Sequence, residues 1–366
     1  MRRVQAACEA ERILIRLPNW LGDVVMSIPG LLALRAAAPS AHIVAHLPAP
    51  LAPLLDGLDV VDEVWPVGFQ GRGRNIGGAF SDIRRIHAAR FDLGLVIPES
   101  ISSALLMRLG RVGSVTGFAR DPLRRVLLNR VTPADPTWGK RRLIAKERFV
   151  LALMASLGVI SEDTTTRLVV TEGEKANLDQ VLVDSDCEDL DWANNAPVVI
   201  APGASFGEAK CWPAECYAEL SDRLVSEGIP VILLGAPGES ERIAAVREAM
   251  EGEASVLDGV LEIGALKALL SGARALVAND AGARHVAIAF GVPSVIFFGP
   301  TSVEKTAENL SRVTVLESQH ECRPCYLRDC PIDHRCLRSI DVDTAWDATT
   351  TALGGLNGQS AGPVIS

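Results

Sequence analysis

No apolar run in this chain of 366 residues approaches the roughly 18 residues that a membrane-spanning helix requires. Aromatic side chains are scarce, at 5% with only two tyrosines, and they are not interleaved with the basic residues. The stacking platforms of a nucleic-acid binder are therefore missing, and with a net charge of −9 no nucleic-acid partner is expected. The opening segment, Met1 to Arg12, is short and charged, and the apolar stretch behind it is interrupted by Arg16, Pro18 and Asn19. It lacks the form of a signal peptide, so a cytoplasmic location is expected.

What is present describes an α/β protein long enough for two cores: 48% hydrophobic residues with 31 Gly and 21 Pro. The charge is divided unevenly. Of 36 Lys and Arg and 45 Asp and Glu in all, residues 1–150 hold 21 and 13, leaving 15 and 32 for the rest, so the first part is basic and the second acidic. A basic domain in an acidic protein points to an anionic partner such as a phosphorylated lipid or a charged membrane leaflet, with an unevenly charged solvated surface as the plain alternative.

Strand-like runs alternate with helical ones. Ile13 to Leu17, His42 to Leu47, Val60 to Val67, Leu93 to Ile97 and Ser114 to Phe118 read as strands, and a helix is expected from Asp23 toward Ala38. The plan repeats with strands at Val198–Ala201, Pro230–Leu234, Ser255–Leu257, Ala275–Val277 and Ser294–Phe298, and helices over 213–227, 239–250, 262–271 and 282–290. Repeating βα units imply parallel, doubly wound, Rossmann-like sheets that bind ligands at their carboxyl ends, which puts the expected active site in an interdomain cleft. The expected domains are 1–175 and 197–345, joined by an acidic linker over 176–196. A terminal helix and frayed tail occupy 346–366.

Three strand-to-helix turns carry chemistry. Pro18-Asn19-Trp20-Leu21-Gly22-Asp23 places Asp23 at or near a helix N-cap, where capping is the competing role. Pro202-Gly203-Ala204-Ser205-Phe206-Gly207-Glu208-Ala209-Lys210-Cys211-Trp212-Pro213 has small residues whose amides can approach an anion, with Lys210 as a point charge; it is neither a Walker loop nor a Gly-x-Gly-x-x-Gly turn. Asn279-Asp280-Ala281-Gly282-Ala283-Arg284-His285 opens another helix after a strand.

In this order and spacing the three segments resemble glycosyltransferase family 9, the heptosyltransferases that act on lipopolysaccharide. The most specific parts are Leu21-Gly22-Asp23, Pro202-Gly203-Ala204 with Lys210-x-Trp212-Pro213, and Asn279-Asp280-x-Gly282-x-x-His285. The resemblance spans about Ile13 to Leu353. It implies a GT-B fold, two doubly wound domains facing across a cleft, with acceptor in the first and nucleotide sugar in the second. It also implies inverting transfer of heptose from ADP-L-glycero-D-manno-heptose to the anionic inner core of lipopolysaccharide, with peripheral contact at the inner face of the inner membrane. By the same resemblance Asp23 is the general base, Lys210 contacts the diphosphate, Glu239 holds the ribose, and Gly203 and Ser205 lie by the phosphates. Asp280 and Gly282 bind sugar and phosphate, and His285 is the motif histidine without an assigned role.

No catalytic metal is expected. The Asp-x-Asp triplets at Asp184/Asp186, Asp189/Asp191 and Asp341/Asp343 read as surface charge. Cys322-x2-Cys325-x4-Cys330-x5-Cys336 is different, since four of eight cysteines fall within 15 residues. In a reducing compartment a tetrahedral thiolate site for structural zinc is the leading reading, with an iron–sulfur cluster or plain thiols as alternatives. On the acceptor side Arg72, Arg74, Arg84, Arg85, Arg120, Arg124, Arg125, Lys140, Arg141 and Arg142 supply the basic excess. The competing functions are a GT-B transferase using another nucleotide sugar and a non-catalytic metal-binding relative.

Overall fold

The computed structural model describes residues 6–68 and 76–354. The chain divides into two compact units, Met1–Arg167 and Leu168–Ser366. In the first, strands β1 (Arg12–Arg16), β2 (His42–Leu47), β3 (Glu63–Pro66), β4 (Leu93–Val96), β5 (Ser114–Phe118) and β6 (Arg130–Thr132) lie in the order 3-2-1-4-5-6. Its helices are α1 (Leu21–Val25), α2 (Ile28–Ala37), α3 (Ile76–Ala89), α4 (Ile101–Leu109), α5 (Pro122–Leu127) and α6 (Lys146–Ala155).

The second unit repeats the plan. Strands β7 (Val198–Ala201), β8 (Val231–Gly235), β9 (Ser255–Asp258), β10 (Ala275–Asn279), β11 (Ser294–Phe298) and β12 (Val313–Glu317) run 12-11-10-7-8-9, the same order counted from its own first strand. Its helices are α7 (Glu172–Asp184), α8 (Ala214–Ser226), α9 (Ser240–Ala249), α10 (Ile263–Gly272), α11 (Gly282–Ala289), α12 (Arg335–Arg338) and α13 (Val342–Ala352). Every strand pair in both sheets is parallel. The strand order reverses between β1 and β4, and between β7 and β10. Crevices at such switch points take ligands in open α/β sheets.

Central strands β7, β8, β10 and β11 are buried throughout, as sheets covered on both faces require. Beneath the β7 turn lies an aromatic cluster: fully buried Trp212 stacks on Phe297 at 4.3 Å and meets Tyr217 edge-on at 5.0 Å. Such pairs add about 0.5–1.5 kcal/mol each beyond area burial. The Trp212 Nε1–H donates to the Ile340 carbonyl at 2.9 Å, so its one polar group is satisfied.

Three expectations need adjustment. The helix from Asp23 to Ala38 is two helices, broken at Met26 and Ser27 so that Pro29 falls in the first turn of α2, where its missing N–H costs nothing. The stretch expected as a linker, 176–196, holds most of α7. That helix opens with a capping box between Thr171 and Glu174 and joins the second unit through a buried 2.7 Å pair, Lys267 Nζ to Glu174 Oε1. The terminal helix starts before 346, at Val342, capped by Asp341, which accepts from the Thr344 amide at 2.7 Å. The tail expected to fray, from 355 onward, lies outside the described residues. No helix among the described residues is long and apolar enough to cross a membrane.

Candidate active site

In the first unit the turn after β1 is pinned from below. Arg16 is 5% exposed, and its guanidinium donates to the carbonyls of Leu17 and His46 and to Asn19 Oδ1. Burial pulls its pKa to about 10, against the opposing charge of Asp82, so it stays cationic at neutral pH. His46 Nε2 lies 3.5 Å from Asp82 Oδ2, and burial lowers the imidazole pKa. The pinned turn delivers Asp23 into the first turn of α1. Trp20 is the N-cap residue and makes no side-chain cap, so Asp23 is not spent on capping, as had been considered. Its half-buried carboxylate has no hydrogen-bond or ion-pair partner among the described residues, while its own carbonyl accepts from Ser27 Oγ at 2.7 Å.

In the second unit the turns after β7 and β10, which flank the switch point, are knit together. Asn279, fully buried, donates from Nδ2 to the Pro202 carbonyl at 2.7 Å, while its Oδ1 accepts from the Trp212 amide and the Tyr217 hydroxyl, each at 3.0 Å. Next to it, Asp280 accepts on Oδ2 from Lys210 Nζ at 2.9 Å and Thr301 Oγ1 at 2.7 Å, and on Oδ1 from Arg284 Nε at 2.8 Å. Lys210 also donates to the Asp280 carbonyl at 2.6 Å. Burial by itself would raise the Asp280 carboxyl; the Arg284 and Lys210 charges and these hydrogen bonds outweigh it and hold the group well below the usual carboxylate range. Two cations on one carboxylate leave a net positive charge where the α11 amides emerge.

His285, half-buried on the first turn of α11, is held well below the usual imidazole value by burial and the Arg284 charge. It is a neutral ring at pH 7. Gly282 begins the same helix. Arg284 is fully buried, with its guanidinium carbon 5.1 Å from the Phe298 ring centroid, and its two terminal nitrogens have no hydrogen-bond partner among the described residues.

Gly203, Ser205 and Glu239 form a second group. A Cβ at Gly203 would sit 2.0 Å from Glu239 Oε2, so only glycine lets that carboxylate lie across the turn. Glu239 also accepts from the Ala236 amide at 3.0 Å and, at the limit of hydrogen-bond length, from Ser205 Oγ at 3.4 Å. Burial raises its pKa despite these bonds, and the charges of Asp258 and Glu208 add to the rise.

The basic residues sort unequally. Arg72 and Arg74 lie outside the described residues. Arg124 is not a surface charge: it is fully buried and donates to the carbonyls of Phe118, Ser100 and Val96, and burial lowers its pKa to about 10. Arg142 and Arg120 both pair with Glu99. Arg85 lies 3.7 Å from the Trp65 ring centroid. Arg84, Arg125, Lys140 and Arg141 are exposed.

All four segment cysteines are free thiols, Cys336 buried and Cys322 and Cys325 exposed. The His334 amide lies 3.4 Å from Cys330 Sγ, and burial and the charges of Cys322, Cys330 and Cys325 raise the Cys336 thiol. Among the described residues no group of three or more His, Cys, Asp or Glu side chains is arranged to hold a metal ion.

Sequence reasoning passed over Arg16, Thr301 and Arg284. Only Arg284 left a signal, its i,i+4 spacing from Asp280.

The model of glycosyltransferase family 9 (heptosyltransferase) matches residues 80–335. Lipopolysaccharide heptosyltransferase 2 of Salmonella typhimurium is 32% identical over 309 residues, 81% of this chain and 84% of that protein. The solved ADP-heptose lps heptosyltransferase II of Escherichia coli superposes with a TM-score of 0.77 at 27% identity, covering 93% of this chain and 98% of that one. An Escherichia coli heptosyltransferase solved with ADP gives 0.69 at 20% identity, covering 93% and 99%. With its two doubly wound sheets of GT-B type and this match, the chain belongs to glycosyltransferase family 9, the heptosyltransferases.

Proposed function

We propose that the protein transfers heptose with inversion from ADP-L-glycero-D-manno-heptose to a sugar of the anionic inner core of lipopolysaccharide. One observation carries this reading: the Lys210–Asp280–Arg284 cluster, with surplus positive charge at a helix N-terminus, flanks the switch point of the second sheet. The diphosphate would lie there, with Gly203 and Ser205 by the phosphates, Glu239 by the ribose, Asp280 and Gly282 toward the sugar and phosphate, and neutral His285 beside them on α11. Asp23, free of partners, is the general base. It takes the acceptor hydroxyl proton as that oxygen bonds to the anomeric carbon, and the bond to ADP breaks with its electron pair leaving on the phosphate. Lys210 and the α11 amides stabilise that charge, a contribution at least comparable to the base's roughly 10²–10⁴-fold. No catalytic metal enters this scheme. The relatives named above act on lipopolysaccharide or carry ADP, which supports both substrates.

The acceptor reading extends to a membrane surface at the cytoplasmic face. On packed helices α4 and α5, Leu105, Leu109, Leu123 and Val126 are exposed beside the exposed Arg108 and Arg125, a pairing that suits an anionic bilayer. For Cys322, Cys325, Cys330 and Cys336 we propose, from their spacing alone, a structural zinc that would have to draw the four thiols together, since as they stand they are not arranged to hold an ion.

The test is nucleotide selectivity. ADP should raise the melting temperature of the protein more than UDP or GDP does, because a ligand bound only to the folded state stabilises it. Equal or greater stabilisation by UDP or GDP would reassign the donor, and absence of heptose transfer with ADP-heptose and an inner-core acceptor would reject the activity.

A further inference from the structure

The cysteine segment has partners that a peripheral knuckle does not need. Arg323, between Cys322 and Cys325, has a side chain only 9% exposed. Its Nε donates to the Gly299 carbonyl at 2.5 Å, Nη1 to the Ser318 carbonyl, and Nη2 to Glu317 Oε2 at 2.7 Å, with a longer contact to the Thr301 carbonyl at 3.4 Å. The Tyr326 amide adds a bond to the Pro300 carbonyl at 2.9 Å. The segment thus grips the whole turn after β11, and that turn carries Thr301, whose hydroxyl donates to Asp280.

The same segment grips the Lys210 turn. Arg328 Nε donates to the Phe206 carbonyl at 2.7 Å, and the Arg328 carbonyl accepts from the Ala209 amide at 2.9 Å, one residue before Lys210. Gly207 permits this approach: its φ is +152°, and a Cβ there would lie 2.3 Å from the Arg328 carbonyl oxygen. Phe206 is shared, with Lys210 Nζ 5.3 Å and the Arg328 guanidinium carbon 5.6 Å from its ring centroid.

We propose that the segment over 318–338 is a strap holding the Lys210 turn and the Asp280–Thr301 pair in register, with Arg323 as its positioning residue. The geometry requires a forked cation: lysine, a single point donor, cannot reproduce bonds that diverge from three guanidinium nitrogens. The consequence for catalysis rests on the reading that these turns hold the diphosphate, while the strap itself does not.

Two measurements on the full chain separate them. Hydrogen exchange compares the parent with Arg323→Lys and Arg323→Ala: amides over 203–210 and 299–301 should exchange faster in the variants, with the sheet amides unchanged. Unaltered exchange in those turns overturns the strap whether or not any nucleotide binds. Steady-state kinetics then read its use. Arg323→Lys should raise the KM for ADP-heptose and the Kd for ADP about tenfold, the effect of losing about one charge-assisted hydrogen bond, with acceptor KM and saturated kcat kept within about twofold. A lower kcat with both KM values unchanged means fewer folded molecules only, and overturns the positioning role. If exchange responds while the parent itself fails to bind ADP, the nucleotide reading fails and the strap stands.

Discussion

Lys210 reaches Asp280 twice, through the carbonyl at 2.6 Å and the carboxylate at 2.9 Å. The ammonium is therefore largely withdrawn from water and already oriented, and on the proposed reading Asp280 is the counter-charge it keeps when a diphosphate arrives. Arg284 on the other carboxylate oxygen is what lets Lys210 turn part of its charge outward without leaving Asp280 unpaired.

Asp23→Asn should retain ADP affinity and lose turnover by about 10²–10⁴-fold, the usual worth of a positioned base. Because Asp23 neither caps α1 nor pairs with another group among the described residues, the melting temperature should stay put. Heptose transfer rates and ADP titration check this; near-parental turnover removes the residue from the role.

Gly203→Ala places a methyl where Glu239 Oε2 now lies. The carboxylate must move, at about 1–3 kcal/mol of overpacking, which corresponds to roughly ten- to hundredfold weaker ADP binding if Glu239 serves the ribose. Calorimetric titration decides: unchanged affinity with an intact fold separates Glu239 from the nucleotide.

Acidification should destabilise the second unit through two groups, Asp280 and His285. The folded pKa of Asp280 is depressed, so its contribution is present above the unfolded carboxyl value of about 3.9 and lost as pH falls toward the folded one. His285 is depressed too and must stay neutral to fold, so stability also declines as pH drops below the unfolded value of about 6.5. His285→Gln should flatten the decline of the stability curve that sets in below about pH 6.5, and Asp280→Asn the further decline below about pH 3.9. At neutral pH Asp280→Asn should cost about 3–5 kcal/mol, since it strands two buried cations. Chemical denaturation across pH reads both, and parallel curves for parent and variants argue against the assignments.

Leu109→Ser with Val126→Ser should reduce sedimentation with phosphatidylglycerol vesicles at low salt, and salt should weaken the parent's binding steeply as the Debye length contracts to about 8 Å at physiological strength. Salt-independent association would point away from the arginine-flanked helices.

Elemental analysis of protein purified without chelator should find about one zinc per chain, lost together when any of Cys322, Cys325, Cys330 or Cys336 is changed to Ser. Iron in its place would favour the cluster reading, and neither metal would leave four plain thiols.

The parts of the fold most legible in the sequence were those with redundant signals. His42–Leu47, Val198–Ala201 and Ser294–Phe298 are runs rich in apolar and β-branched residues, and their strands begin and end as read. Edge strands β6 and β12 are only partly buried, and Arg130–Thr132 is three residues long; neither is among the strands read from the sequence. The acidic stretch from Asp184 to Asp191 has the composition of an exposed connection and masks the Thr171-x-x-Glu174 box, a plain helix start. In the site, the turn motifs marked Asp23, Lys210 and Asp280, because a strand feeding a helix is a local pattern. Arg16 and Arg323 act through backbone carbonyls, and Thr301 through the Asp280 carboxylate, all distant in sequence, and nothing local announces such bonds.

The shared strand order has an evolutionary corollary. Each half carries its candidate turns at the same topological address, on a core of its own, so if recipient and nucleotide are read by different halves as proposed, substitutions that retune one can accumulate without disturbing the other. Divergence within such a lineage can proceed one half at a time.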